Sequence, residues 1–219
     1  GGILGARLVH IIDNLDYYLE NPLYFIYIWK GGIAVWGGII GGLLGGLAYC
    51  KFSKLSTEFM GQLMDFAAPA MLAGQAIGRI GDIINGEHCS RATDLFFGWW
   101  FSNPNSPGQQ CIIRSESYSN GYFPQGSDPS TAVHPSALYE LIWDVLGMLV
   151  LVKFRNKLKP AGSLWFIYLG WYSLGRFVIQ WTRLDKTYFW SFQEAHFISI
   201  ICMIISVSFI FIKTRKQNN

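Results

Sequence analysis

Residues 78–91 gather Arg79, Asp82, Asn85, Glu87, His88 and Arg91 directly behind an apolar run, residues 66–77. That is two guanidiniums, two carboxylates, an amide and an imidazole where a hydrophobic helix ends. Ionisable groups at the edge of a bilayer are costly to place and mark a site by default. A second polar set, Arg176, Gln180 and Arg183, stands far along the chain. Arg79 and Asp82 are three apart, Arg176 and Gln180 four apart, and Arg176 and Arg183 seven apart. Each set therefore shares a helical face if the helices run through these points. Guanidinium grips a phosphate with two parallel N–H donors and keeps its charge where an ammonium can lose it. The chemistry these residues suit is the capture of a phospholipid headgroup by Arg79 and Arg176. The competing reading makes the arginines interfacial anchors, or partners of Asp82, Glu87 and Asp185 in ion pairs. The amide and carboxylates between them favour the site, because an anchor needs neither.

Glu140 and Asp144, four apart inside an apolar run, read as partners for an arginine in a structural role. His88, His134 and His196 can each serve as acid or base near neutral pH. Taken singly, each is more simply a hydrogen-bonded structural histidine.

The elements that must position these groups are helices in a membrane. Only 14% of the 219 residues are charged and 51% are apolar, against about 25% charged in soluble domains. A formal charge of +3 is too small to call for nucleic acid. Apolar runs at residues 31–50, 62–77, 134–152, 162–179 and 196–212 are near the length that crosses a bilayer, and residues 3–12 read as the end of a further helix. Arg7 in that fragment reads as a side chain that snorkels to the interface. Residues 13–29, with Asp13, Asp16, Glu20 and several tyrosines, read as a polar-aromatic loop at headgroup level. The diglycines Gly37–Gly38, Gly41–Gly42 and Gly45–Gly46 make two interleaved small-residue ridges that let another helix backbone approach closely. Pro69 is tolerable inside a membrane helix, and Pro135 suits a first helical turn. Residues 79–134, rich in Gly, Pro, Ser and Asn, are too polar to span and read as a cap. The fold class is all-α, a polytopic membrane helix bundle with a small outer-side cap segment. Residues 1–219 form a single integral membrane domain, with residues 79–135 as the extracytoplasmic cap and site loop.

Lys and Arg cluster at residues 51–54, 153–159 and 213–216, which hold two, four and three of the seventeen. The positive-inside rule makes those ends cytoplasmic, the C-terminus among them. Arg79 and Arg176 then emerge together on the outer face, as a site built from both requires. Cys50, Cys89, Cys111 and Cys202 lack paired metal-ligand spacing, so no metal is expected. Cys89 and Cys111 share one polar segment and can pair only in an oxidising compartment; nothing else in the sequence supports that bond. The chain opens on Gly1–Gly2–Ile3 without a methionine, inside an apolar pattern, and so reads as truncated at its start, with a preceding span absent.

Four separated pieces, in this order, resemble the signature of the prolipoprotein diacylglyceryl transferases. They are Gly31–Gly32 through Gly37–Gly38–Ile39–Ile40–Gly41; Gly78–Arg79–Ile80–Gly81 with Asn85–Gly86–Glu87; His134–Pro135–Ser136 with Leu138–Tyr139–Glu140; and Gly175–Arg176–Phe177 with Arg183. The resemblance implies a multi-pass enzyme of the bacterial cytoplasmic membrane whose site faces the outer leaflet. It implies transfer of the diacylglyceryl group of phosphatidylglycerol to the lipobox cysteine of a prolipoprotein signal peptide, releasing glycerol 1-phosphate without metal or cofactor. By the same resemblance Arg79 and Arg176 hold the lipid phosphate and stabilise the leaving group. Glu87 is the first choice for the base and His134 the second. Asn85, Asp82, Tyr139, Gln180, Arg183, Gly37 and Gly38 fall on the substrate side.

The chain also departs from the pattern. Trp36 replaces the family's usual histidine, so a base at that position cannot act here. Asp82 stands for an asparagine, Ser90 for a glycine, Ala137 for a glutamine and Gln180 for a glutamate. Two other classes remain open: a relative that binds lipid or prolipoprotein without turnover, and a small transporter. The second would call for an internal repeat of spans, whereas the diglycine ladder occurs once.

Overall fold

The computed structural model of the protein describes residues 1–32, 34–103, 105–113, 131–155, 157–185, 187–189 and 191–217. Residues 114–130 of the expected cap lie outside that set. The described residues form α1 (Gly2–Asp13), α2 (Leu15–Glu20), α3 (Val35–Phe52), α4 (Thr57–Asn85), α5 (Pro107–Ile113), α6 (Ser136–Phe154), α7 (Ser163–Ile179) and α8 (Glu194–Gln217). An antiparallel pair, β1 (Thr187–Phe189) and β2 (Phe192–Gln193), is the one sheet among them. The fold is thus all-α, as its apolar runs imply. Within α8, Glu194–Ile212 is long and apolar enough to cross a membrane, and Ile40–Phe52 is a shorter apolar stretch. The chain divides into two compact units, Gly1–Met60 and Gly61–Asn219.

In the first unit α1 packs on α3 through glycine. A Cβ built on Gly5 would fall against the Gly37 carbonyl, and one on Gly41 would lie 2.9 Å from the Gly5 Cα. The ridge Gly37–Gly41–Gly45 therefore meets Gly1 and Gly5 backbone to backbone. The second ridge sits looser: Gly38 and Gly42 make ordinary contacts and Gly46 faces open space. Residues 13–29 are more ordered than a loop. They fold as α2 and a 3-10 turn, Pro22–Phe25, with a second turn, Ile28–Lys30, following. Those turns aim carbonyls inward, which is why Arg7 does not snorkel. It is buried, donating to the carbonyls of Gly31 (2.7 Å), Gly32 (2.8 Å), Phe25 (3.3 Å) and Tyr24, with its guanidinium 5.1 Å from the centre of the Tyr18 ring.

The second unit is framed by α4, α6, α7 and α8. Pro69 does not end α4, which runs on to Asn85. α6 and α7 clamp each other reciprocally. The Trp143 indole donates to the Trp171 carbonyl at 2.9 Å, the Trp171 indole donates to the Trp143 carbonyl at 3.1 Å, and the rings stack 4.6 Å apart. Each indole occupies the space a side chain would need on the other helix, where Gly147 and Gly175 stand. Asp65, from α4, caps α7 by accepting from the Gly162 amide at 2.7 Å and the Trp165 amide at 3.0 Å. A carboxylate at a helix N-terminus satisfies orphan donors and faces the positive dipole end. Pro135 is the N-cap of α6 rather than a first-turn residue. On α8 the buried residues are polar, His196, Ser199 and Ser206, while Ile200, Ile201, Ile204, Ile205, Val207 and Phe211 are exposed.

Candidate functional site

Because α4 persists to its last turn, Arg79 and Asp82 share a face and pair at 2.8 Å. Beyond Asn85 the chain turns sharply. Gly86 has φ +64, and His88, which carries a side chain, has φ +83. A non-glycine residue in that region is held by its surroundings and points to a functional constraint. The surroundings here are specific. The Gly108 amide donates to the Gly86 carbonyl at 2.8 Å, and Cys89 is disulfide-bonded to Cys111, the pairing the sequence left unsupported. The Leu184 amide donates to the Cys89 carbonyl at 2.9 Å and the Arg91 amide to the Thr182 carbonyl at 2.8 Å. The hydroxyl of Ser90, the residue standing for a glycine, lies 2.5 Å from that of Ser136 at the start of α6. The turn is therefore stitched to α5, to residues 182–184 and to α6, and it delivers the His88 ring to Arg79.

Arg79 and Arg176 converge on one carboxylate. Glu140, buried on α6, lies 2.5 Å from Arg79 Nη2 through Oε2 and 2.5 Å from Arg176 Nη1 through Oε1. Arg183 Nη1 stands 3.9 Å from the same Oε1, and its Nε donates to Asp185 at 3.1 Å. Glu140 is thus the arginine partner that its place in an apolar run suggests, and it bridges two arginines, which i,i+4 spacing alone does not reveal. Asp144, one turn on, is also buried and lines a small cavity with Glu140, Trp143, Tyr172 and Arg176.

His88 completes the cluster. Arg79 Nη1 donates to His88 Nε2 at 2.9 Å, and Asp82 Oδ2 lies 3.3 Å from the same nitrogen. Burial, with the nearby Arg183 and Arg79 charges, pulls the imidazole down to about 4 despite Glu140 and Asp82. The ring is therefore neutral at pH 7, and since a guanidinium only donates, Nε2 is the acceptor. Gln180, fully buried, donates its amide to Asp185 at 2.6 Å and to Gln193. A glutamate there would set a second carboxylate against Asp185, so the amide suits this chain. Burial pushes the Asp185 carboxyl up, but the Arg183 charge and the bonds from Gln180 and Arg183 outweigh it and hold the group below its usual range.

The remaining expected residues form two separate pairs. Asn85 donates to Glu87 at 3.2 Å on the exposed end of α4. His134 Nδ1 lies 3.3 Å from the Tyr139 hydroxyl, and burial with the Arg91 charge moves this imidazole below its usual range. Among the described residues neither pair exchanges a hydrogen bond or ion pair with Arg79 or Arg176. Gly37 and Gly38 pack α3 on α1 in the first unit, Gly37 through its backbone and Gly38 against Ala6. Sequence reasoning missed His88 as a partner of Arg79 and Asp65 as a helix cap. Spacing signals neither, because His88 is turned onto Arg79 by a sharp turn and Asp65 meets α7 from 97 residues away.

What the cluster can do follows from its charge. Two guanidiniums share one dicoordinate anion, and a lipid phosphodiester offers the same pair of oxygens with the same single charge. Comparison with known proteins bears on this chemistry. Residues 1–212 match the family model described as prolipoprotein diacylglyceryl transferase. The chain is similar to the phosphatidylglycerol–prolipoprotein diacylglyceryl transferases of Staphylococcus aureus strains Newman, USA300 / TCH1516 and NCTC 8325 / PS 47. It is 37% identical to each over 218 residues, 99% of this chain and 71% of each relative.

Proposed function

The chain belongs to the prolipoprotein diacylglyceryl transferase family, and from that we propose that it transfers the diacylglyceryl group of phosphatidylglycerol to prolipoproteins. The observation that supports a competent site is the convergence of Arg79 and Arg176 on the two oxygens of Glu140. In this reading Glu140 keeps both guanidiniums oriented until the lipid phosphate takes them over. The lipobox thiolate attacks the glyceryl carbon that carries the phosphate ester; the C–S bond forms, the C–O bond breaks, and the electron pair leaves on glycerol 1-phosphate. Arg79 and Arg176 stabilise the charge that grows on the leaving phosphate, the kind of term that dominates in such sites. They also favour thiolate over a thiol of ordinary pKa near 8.5. The thiol proton passes to Glu87 or His134, since Trp36 offers no base. Asp82 and Arg183 orient the guanidiniums, Gln180 does so through Asp185, and Asn85 and Tyr139 border the headgroup.

The same reading makes the chain one multi-pass domain of the bacterial cytoplasmic membrane, with residues 79–135 as its cap. The site faces the outer leaflet and the C-terminus lies in the cytoplasm. Support comes from α8, whose buried residues are polar while its large apolar side chains face outward, and from Glu140, Asp144, Ser173, Gln180 and Gln193, polar groups that share the second unit's interior with Leu72, Leu151 and Leu164. The Lys and Arg distribution adds to it. The test is direct: purified protein is incubated with phosphatidylglycerol and a lipobox peptide, and the peptide is weighed. Addition of one diacylglyceryl mass to the cysteine supports the proposal. Lipid binding without added mass replaces it with a non-catalytic binding role.

A further inference from the structure

The most exposed large apolar side chain among the described residues is Phe96, 96% accessible, and it stands in the cap rather than on a helix. It sits at the tip of a tight turn. The Gly98 amide donates to the Leu95 carbonyl at 2.9 Å, and the Leu95 amide to the Thr93 hydroxyl at 3.3 Å. The base of the turn is fixed by Thr93 to Ala132 at 2.9 Å and by a reciprocal pair between Trp99 and Val133. The sequence around it is Leu95–Phe96–Phe97–Gly98–Trp99–Trp100, of which Leu95, Phe97 and Trp100 are also exposed. A short turn of this kind in water would favour polar residues, so the aromatics call for a covering.

The place of the tip says what covers it. Phe96 packs edge-on against Phe97, and Phe97 edge-on against Tyr139 in the first turn of α6. Tyr139 in turn heads a stripe at helical spacing, Ile142, Leu146 and Leu149, all about half exposed. The aromatic tip is therefore continuous with the apolar outer face of α6 and stands at its upper end. That end is where the headgroup boundary falls if α6 spans the bilayer, and aromatic rings prefer that depth. The tip is also convex, with one ring almost wholly in the open. A folded or helical partner would need a complementary concave surface, whereas a fluid lipid phase closes around a protrusion.

We propose that the turn formed by residues 94–98 is a membrane-dipping finger that seats Phe96 and Phe97 in the outer leaflet, beside His134 and Tyr139. There it keeps the cap, and the turn carrying His88, level with the headgroups that Arg79 and Arg176 engage. The inference rests on the membrane reading given above, and its test separates the two. In protein whose unpaired Cys50 and Cys202 are replaced by alanine, a bimane probe is placed on D94C or, as a reference, on I204C in α8. Each is reconstituted in phosphatidylglycerol vesicles with or without lipids carrying a nitroxide near the headgroup or along the chain. The D94C probe is quenched by the shallow nitroxide, and adding F96S/F97S reduces that quenching several-fold. In the unlabelled protein F96S/F97S raises the KM for vesicle lipid several-fold and leaves transfer from detergent-dispersed lipid unchanged, which also reports a folded variant. Quenching at I204C with none at D94C overturns the finger and keeps the membrane reading, whereas silence at both overturns both. Quenching that F96S/F97S leaves intact, or a D94C response that appears only when lipobox peptide is added, also overturns it, the latter in favour of a peptide-docking surface.

Discussion

Two arginine environments, one buried and one half-buried, divide the chain, and their difference lies in what holds each guanidinium. Arg7, in the first unit, is caged by backbone carbonyls of residues 24, 25, 31 and 32. Arg79 and Arg176, in the second, are held by a side-chain carboxylate. Carbonyls belong to the backbone and cannot leave without unfolding the turns that present them. A carboxylate on a side chain can rotate away or take a proton, and another anion can take its place. The first arrangement is therefore an anchor, and the second, on the proposed function, is an anion site already filled by an internal anion.

The comparison is broken most directly at Arg176. R176Q should lower transfer by about 10²–10³-fold, the usual cost of one donor to a developing oxyanion. The fold should hold, because Glu140 keeps Arg79 at 2.5 Å and is not left an unpaired buried charge. Initial rates with the peptide assay and a melting curve in the same detergent read both quantities. Undiminished transfer would mean that the Arg176–Glu140 pair is structural, like the Arg7 cage. The converse variant is R7M, which removes every donor from the cage. It should cost about 4 kcal/mol of stability or more, since each of the four inward carbonyls loses a partner at about 1–3 kcal/mol. Affinity for phosphatidylglycerol in the molecules that remain folded should be unchanged. A loss of lipid affinity at unchanged melting temperature would erase the distinction drawn here.

A third variant tests the frame rather than the charges. Gly175 adjoins Arg176, and any Cβ there would strike the Trp143 indole. G175A should cost about 1–3 kcal/mol as an overpacked contact. It should also lower transfer, because α6 carries Glu140 and α7 carries Arg176. G147A, where the same clash falls on Trp171 farther from the arginines, should cost similar stability with less effect on rate. Equal losses of rate in the two would show that the α6–α7 clamp supports the bundle generally and not the site.

How much of this was legible beforehand follows from which interactions are periodic. The helices, the close packing of the diglycine span and the shared face of Arg79 and Asp82 all repeat at helical spacing, so a pattern in the sequence carries them. The order of the four signature pieces carried the family. The contacts that escaped are those with no period: the carbonyl cage of Arg7, the Asp65 cap on α7 made across 97 residues, and His88 turned onto Arg79 by its φ of +83. The disulfide also escaped, because two cysteines twenty-two residues apart in a polar segment carry no period. Glu140 fell between the two classes. Its need for an arginine was evident from its apolar setting, while the identity of two arginines on other helices was not.

His88 supplies the smallest and sharpest test, because it gives Arg79 a neutral acceptor within the exchangeable set. Its native imidazole titrates at about 4, whereas an unfolded histidine does so near 6.5. Between those values the unfolded chain binds a proton that the native protein refuses. The contribution of His88 to stability is therefore full above about pH 6.5 and drains away as pH falls toward 4, at a steepest slope of about 1.4 kcal/mol per pH unit. Asp185, held below its usual range, loses its contribution only at still lower pH, while His134, lowered in the same direction as His88, drains alike in parent and variant and cancels in the comparison. In H88Q the side-chain amide cannot titrate, so melting temperatures measured from pH 7 to pH 4.5 should fall less steeply than in the parent protein. Because Asp82 remains 2.8 Å from Arg79, transfer at pH 7.5 should drop only a few-fold. Parallel pH profiles for parent and variant would show that the ring is not the buried neutral acceptor its distances describe. A loss of transfer as large as that of R176Q would move His88 from orienting Arg79 to direct contact with the substrate.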